Sequence, residues 1–357
     1  MFGSPSKHCV NEYHRHIRRG RIFTIIFAIS SILLAVASTS VGKYPIGILE
    51  SYEIIFNHLQ GIDPVGYVAE LKDFIVWDRN LPRAVAGLTV GAILAIGGAV
   101  MQSMMKNPLA DSYTTGISSG ALFGVTVWLV MGISVVPAAG TYSQILNAFI
   151  FAMIPSLVIV IITTFKKITS TAMILIGIAV MYVFSASSSL LKYIADPDAL
   201  SDIYEWSIGT VGKAGWESVP ILIVSAISIF IAMMIVSKSL NVLSSGDNSA
   251  VSLGVNPLRL RLFCLIVISL TTAAAVCFTG TIGFVGLVAP HLGRIFVGSN
   301  NRYLIPCSAS LGALMLISSD CLARVIGTTG LPAGVVTAMI GSPLFLYFLF
   351  KQKKSDW

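Results

Sequence analysis

The chain has 357 residues, of which 55 % are hydrophobic and only 11 % charged, with a formal net charge of +7. An average soluble domain carries about 25 % charged residues, so this composition excludes a water-soluble surface and points to a polytopic membrane protein. The basic excess calls for no nucleic-acid partner, because the charges are sorted by position between apolar runs.

The first 21 residues, with Lys7, Arg15, Arg18, Arg19 and Arg21, read as a cytoplasmic N-terminal tail. The apolar stretch after them is longer than a signal-peptide core and lacks a small-residue cleavage site, so it is kept as the first span. Ten spans follow from the apolar runs, near 22 to 41, 81 to 105, 113 to 133, 142 to 165, 171 to 192, 217 to 237, 260 to 279, 281 to 298, 303 to 319 and 332 to 350. Each approaches the roughly 20 helical residues that cross a bilayer, and helices are required because lipid offers no partner to a free backbone amide. The expected fold is a single all-α transmembrane domain over 1–357, with about ten transmembrane helices and both termini cytoplasmic.

Three polar segments interrupt the spans. Residues 42–80, expected outside, carry Glu50, Glu53, Asp63, Glu70, Asp73 and Asp78. A second outer segment, Ala195 to Trp216, reads ADPDALSDIYEWSIGTVGKAGW and suggests a short helix bracketed by turns. The third, residues 238–258, is expected inside; its NSAVSLGV stretch predicts a helix of one to two turns, with Ala250 and Leu253 on one face and Gly246 and Gly254 as breakers. Such a helix lies on the bilayer interface or on its own loops, or it docks a cytoplasmic partner.

With this topology, 16 of the Lys and Arg residues fall on inner segments and 7 on outer ones, against 4 and 12 of the acids. That asymmetry obeys the positive-inside rule and sets the orientation. Cys9, Cys264, Cys277, Cys307 and Cys321 show no metal-ligand spacing and read as small apolar residues. Gly87 with Gly91, Gly97 with Gly98, and Ser185 with Ser189 are spaced for close helix packing.

Enzyme readings find no motif: the chain has no HExxH, GxSxG or Walker sequence, and no catalytic residue, cofactor or metal site is expected. His291, in VAPHLGR, reads as a packing or interfacial residue. The spans are poor in acids and bases, which removes the parts of a proton relay and weakens a secondary transporter. What remains is a pathway driven from outside the chain, with a self-sufficient channel or secondary transporter for a small solute as the alternative.

Four local sequences give this form. RNLPRAVAGLTVGAILAIGGAVMQSMMKNPLADSYTTGISSGA from Arg79, ILIGIAVMYVFSA from Ile174, LSSGDNSAVSLGVN from Leu243, and the stretch from Gly280 to Leu349 that opens GTIGFVGLVAPHLGRIF together resemble the FecCD-type, BtuC-like permeases, the membrane subunits of ABC importers for iron chelates, haem and cobalamin. The resemblance covers most of the chain beyond Arg79. It implies a type II ABC importer permease fold, a second permease copy around one central pathway, two cytoplasmic ATPase subunits and an extracytoplasmic substrate-binding protein; molybdate systems share the architecture.

The resemblance also assigns residues. The 238–258 loop becomes the ATPase-coupling loop, with Gly246, Asp247, Ala250, Leu253 and Gly254 as contacts. Arg83 and Arg324 match arginines that meet glutamates of the binding protein. The family arginine three residues before Arg83 is Asn80 here, with Arg79 one position earlier. The pathway is expected along the fifth span, with Ile174, Ile178, Met181, Val183 and Ser185 as lining, closed at its inner end by turns containing Asn107 and Leu109 and containing Ser170 and Thr171.

Overall fold

A computed structural model describes residues 7–166, 168–327 and 330–351. Residues 1–6 of the N-terminal tail and Lys167, Lys353, Lys354 and Asp356 of the charge pattern lie outside the described residues. In chain order the helices are α1 (Lys7–Ser38), α2 (Ile48–Leu59), α3 (Tyr67–Asp73), α4 (Leu81–Met105), α5 (Ile117–Met131), α6 (Ser143–Phe165), α7 (Ser170–Ile194), α8 (Pro197–Ser207), α9 (Val219–Ser244), α10 (Asp247–Ser252), α11 (Pro257–Thr279), α12 (Val285–Val297), α13 (Asn301–Val325) and α14 (Ala333–Lys351).

Seven helical stretches are long and apolar enough to cross a membrane. Three shorter apolar helices, Ile117–Met131, Val285–Val297 and Ala333–Phe348, complete the ten places read from the sequence. The differences lie at the ends. The third span opens with a 3₁₀ turn at Tyr113–Thr115 before α5 begins, and the ninth runs on to Val325, past the residue 319 expected from hydropathy. Hydropathy loses the ninth helix early because Asp320 and Arg324 are charged, yet each supplies the other's counter-charge at i, i+4. Both segments expected outside contain helices, α2 and α3 in the first and α8 in the second; α8 is capped by Asp196, whose carboxylate accepts from the Ala199 amide at 2.8 Å.

The bundle is organised around α4. Buried residues make up 78 % of the most apolar window of the α4 span but 11 % of that of α7 and 17 % of that of α1, so α4 is central and the other two are peripheral. In lipid there is no hydrophobic drive between apolar helices, and close approach at small residues replaces it. A Cβ on Gly91 would stand 2.4 Å from the Gly312 carbonyl oxygen of α13, and one on Gly312 would stand 2.3 Å from that of Gly91. Two turns further, a Cβ on Gly98 would meet the Gly286 oxygen of α12 at 1.7 Å. The backbones of α4, α12 and α13 thus touch with no side chain between them. Gly87 packs on Ile317 of the same α13 face, so the GxxxG spacing serves packing within the chain.

The peripheral helices differ. α1 presents Ile22, Ile25, Ile29 and Leu33 outward, an apolar face suited to lipid. α5 packs against α6 and α7, and α11 joins that group to α4 and α9. Cys264, Cys277 and Cys307 are buried free thiols and Cys321 is a half-buried one.

Gly98→Val is expected to prevent stable insertion, because a Cβ only 1.7 Å from the Gly286 oxygen requires the backbones of α4 and α12 to separate. Detergent-solubilised variant should elute as aggregate in size-exclusion chromatography, with Gly98→Ala intermediate; a monodisperse valine variant with wild-type melting would contradict the direct backbone contact.

Candidate functional site

The two ends of α4 reach two polar clusters. Just before α4 the backbone takes a π-helical turn, Phe74–Asn80, and the Leu81 amide bonds the Val76 carbonyl five residues back. The wider turn changes which side chains share a face, and it separates two neighbours. Arg79 is exposed and lines a cavity of about 520 Å³ together with Lys43, Arg83, Lys213 and Arg324. Asn80 turns into the protein, where its amide donates to the Thr39 carbonyl at 2.7 Å. Arg79 therefore shares with Arg83 the cavity that Asn80 does not serve with a charge.

Beneath that cavity one carboxylate holds two guanidinium groups. Arg83 Nε and Nη2 donate to Asp320 at 2.9 and 2.6 Å, and Arg324 Nε and Nη2 donate to its other oxygen at 2.9 and 2.5 Å. Arg324 Nη1 donates to the carbonyls of Ser38 and Val41 at 2.8 and 3.2 Å, which ties the ends of α1, α4 and α13 together. Arg324 lines the same cavity as Arg83 but is held more deeply. The Arg324 side chain is 5 % exposed and fully engaged, whereas that of Arg83 is 21 % exposed. Lys213 pairs with Glu205 at 2.9 Å at the rim. With five cations against Glu205 and the buried Asp320, the cavity lining carries an excess of positive charge.

At the other end, α4 finishes where Lys106 adopts a left-handed conformation, φ 52°. Beside it stands α10, a helix of six residues that opens after Gly246, φ 129°. Its first residue, Asp247, receives a two-pronged pair from Arg261 of α11, Nη1 and Nη2 each at 2.8 Å, and Arg261 Nε donates to the Met104 carbonyl of α4 at 3.2 Å. Lys106 adds a longer contact of 3.9 Å. The Arg261 side chain is 4 % exposed and that of Asp247 49 %, so a buried cation grips a half-exposed anion. This clamp fixes α10 to the last turn of α4 and the first turns of α11.

Ala250 and Leu253, both expected as coupling contacts, are placed differently. Ala250 is fully buried against its own chain, and Leu253 caps the helix outside it, 69 % exposed. The two do not share a face, because α10 ends at Ser252 and the chain turns away. Asp247 is spent largely on Arg261. The outward apolar surface is Val251 and Leu253, both more than 60 % exposed. Val251 borders a groove of about 530 Å³ shared with Thr163 and Met173, next to the α6–α7 turn. Gly254, also on that groove, has φ 79° and reverses the chain toward α11.

The expected gate turns lie at this same end. Asn107 folds its own loop, its side-chain oxygen accepting from the Leu109 amide at 2.9 Å, and leaves Leu109 half-exposed. Ser170 opens α7 behind Thr169, the N-cap, whose hydroxyl accepts from Ala172, and Thr171 is exposed. No hydrogen bond joins the two turns among the described residues. On α7, Ile174, Ile178, Met181 and Ser185 follow one helical stripe; the first three are half-buried and Ser185 is exposed. Val183 stands about 180° from Ile174, nine residues on, and so leaves the stripe. Met173, Gly177 and Ser188 form the buried face.

Sequence reasoning missed Arg261, Asp320 and Lys213. Only Asp320 left a signal, the i, i+4 spacing to Arg324. Arg261 reads as one more inner-loop cation, and its pairing appears only when α10 folds back.

The FecCD transport family matches residues 28–351. The hemin transport system permease protein HmuU of Yersinia pestis is 35 % identical over 281 residues, 78 % of this chain and 84 % of that protein. The cobalamin import system permease protein BtuC of Halobacterium salinarum is 38 % identical over 291 residues, 79 % of this chain and 75 % of that one. Among solved structures, an inward-facing conformation described as a metal-chelate type ABC transporter superposes with a TM-score of 0.79 at 29 % identity, covering 92 % of this chain and 99 % of that one.

Asp247 also has a pH signature. The hydrogen bonds from Arg261 hold its carboxyl below the ordinary carboxylate range. A lowered value means that the clamp contributes fully above about pH 4 and is lost only as pH falls through that lowered value. Amide exchange across residues 247–254, corrected for intrinsic rate, should stay flat from neutral pH down to about 4 and rise in stronger acid. Asp247→Asn should show the raised exchange already at neutral pH; equal protection in the variant would remove the clamp from the account.

Proposed function

Because the chain belongs to the FecCD transport family and is an ABC importer permease, a multi-pass protein of the cell membrane, we propose that it forms half of the pathway of a binding-protein-dependent importer for a large metal chelate, an iron chelate, haem or a cobalamin-type corrinoid. The observation that carries this reading is the pairing of a cavity with excess positive charge at one end of α4 with a clamped, apolar-tipped loop at the other. The Arg83 end faces outward and receives carboxylates of a substrate-binding protein. The α10 end faces the cytoplasm together with both termini, where Val251 and Leu253 enter a cleft of an ATPase subunit and Gly246 and Gly254 let the loop turn. ATP is hydrolysed on those partners, two of them for a pair of permease copies.

Asp247 serves this arrangement as an anchor, and Ala250 as the packing that keeps α10 in place. A rigid loop passes ATPase closure to α4 and α11, where a loose one would absorb it. Arg83 and Arg79 contribute charge to outer docking, and Arg324 holds the frame. The pathway runs along the exposed and half-buried sides of α7, past Ile178, Met181 and Ser185. Uncharged groups there give a large ligand few places to lodge, which suits passage. The turns at Asn107 and Leu109 and at Ser170 and Thr171 close it on the cytoplasmic side.

Reconstitution in proteoliposomes tests the reading. Uptake of a ferric siderophore, haem or cobalamin should require the co-purifying ATPase, ATP and the binding protein, and molybdate uptake should be absent. Uptake by this chain alone would establish the self-sufficient channel or secondary transporter instead. Within the assembled transporter, Leu253→Asp should abolish substrate-stimulated ATP hydrolysis while leaving binding-protein affinity unchanged. Arg83→Glu should do the reverse, weakening docking by about 1–3 kcal/mol. A coupled Leu253→Asp transporter, or wild-type docking by Arg83→Glu, would refute the corresponding half of the proposal.

A further inference from the structure

We propose that Asp320 is a positioning residue for docking: it aims Arg83 at the outer cavity while taking no part in the contact itself. The inference rests on the reading that Arg83 meets a carboxylate of the binding protein. Asp320 is 3 % exposed, so no partner reaches it. It nevertheless fixes the Nε and Nη2 positions of Arg83 through hydrogen bonds of 2.6 to 3.0 Å. Nη1 is left as the terminus of Arg83 that makes no hydrogen bond among the described residues, on a side chain that lines the cavity.

Three features make this arrangement more than a structural ion pair. Two guanidinium groups share one carboxylate, so the buried cluster retains one unit of positive charge, and the more exposed of the two arginines is Arg83. Arg324 is immobilised from behind by the Ser38 and Val41 carbonyls, so Asp320 is held against a fixed support when Arg83 is pulled. Finally, Gly212, in the turn after α8, lies against the free terminus with room for no side chain between them: a Cβ there would stand 2.9 Å from Arg83 Nη1. Arg83 is thereby confined on both edges before any partner arrives. Ordering a long side chain in advance removes the rotamer entropy that docking would otherwise consume, and the guanidinium edge that remains suits a carboxylate.

The test is a double-mutant cycle on the complete transporter in nanodiscs, reading the Kd of its co-purified binding protein for wild type, Arg83→Ala, Asp320→Asn and the double variant. Asp320→Asn is expected to weaken docking roughly tenfold, Asp320→Glu to recover part of that loss, and Asp320→Asn to add nothing once Arg83 is alanine. An unchanged Kd in Asp320→Asn, or an equal further loss in the Arg83→Ala background, would overturn the positioning role while leaving the docking site standing. An unchanged Kd in Arg83→Ala would instead overturn the docking reading and this inference with it. If Asp320→Asn does not assemble, Gly212→Ala replaces it in the same cycle, since it crowds Nη1 without touching the buried carboxylate. Its expected weakening must likewise vanish in the Arg83→Ala background, and persistence there would count against the proposal.

Discussion

Backbone contact between glycines is the constraint on which the rest of the structure depends. Where Gly91 meets Gly312 and Gly98 meets Gly286, α4, α13 and α12 approach to a distance that no side chain permits. In a medium where exposed leucine and buried leucine differ little in free energy, such contacts decide which helices are neighbours. They place α4 at the centre, and a 25-residue helix of about 1.5 Å per residue carries one fixed line across the whole bilayer. Each candidate site sits at an end of that line, so neither is free to shift independently of the core.

The two ends use the same chemistry to different effect. Each joins guanidinium to carboxylate, but Asp320 is enclosed and Asp247 is half-exposed. A buried pair adds little net stability over an apolar replacement, while loss of one partner strands a charge at about 3–5 kcal/mol. Around Asp320 this enforces a geometry: α1, α4 and α13 end at fixed positions because three elements satisfy one cluster. Around Asp247 water competes for the carboxylate, and the grip is correspondingly weaker. The Asp320 end is thus a frame and the Asp247 end a joint.

Much of this was legible in the sequence because lipid imposes simple rules. Apolar length found the ten helices, and the sorting of charge separated two sets of loops. Glycine spacing announced close packing without saying against what. The details that escaped depend on contacts between distant segments. Arg83 and Asp320 are 237 positions apart, and nothing in either segment reports the other. The motif around Arg83 drew attention to Asn80, but the π-helical turn that buries Asn80 and turns Arg79 to the cavity is a backbone property no residue type announces. Helical spacing puts Ala250 and Leu253 on one face, but Ala250 is buried in its own chain and Leu253 is exposed. Ala250 is buried because the Asp247 to Arg261 pair draws the loop back onto α4 and α11.

The packing also determines where the molecule can yield. α4, α12 and α13 share backbone contacts, and α1 and α9 lean on the same group; α5, α6 and α7 pack mainly on one another, with α11 between the two sets. A force applied at Leu253 reaches α4 through Met104 and α11 through Arg261, that is, the rigid group and the bridging helix together. Under the proposed function, because α4 cannot tilt without dragging α12 and α13, we infer that the compliant direction is a sliding of the α5 to α7 group against the rest. α7, the least enclosed span, belongs to the α5 to α7 group, and its exposed and half-buried sides carry Ile178, Met181 and Ser185. Under the proposed function, that makes the wall of the pathway the part of the subunit most free to move when the clamp at α10 is pushed.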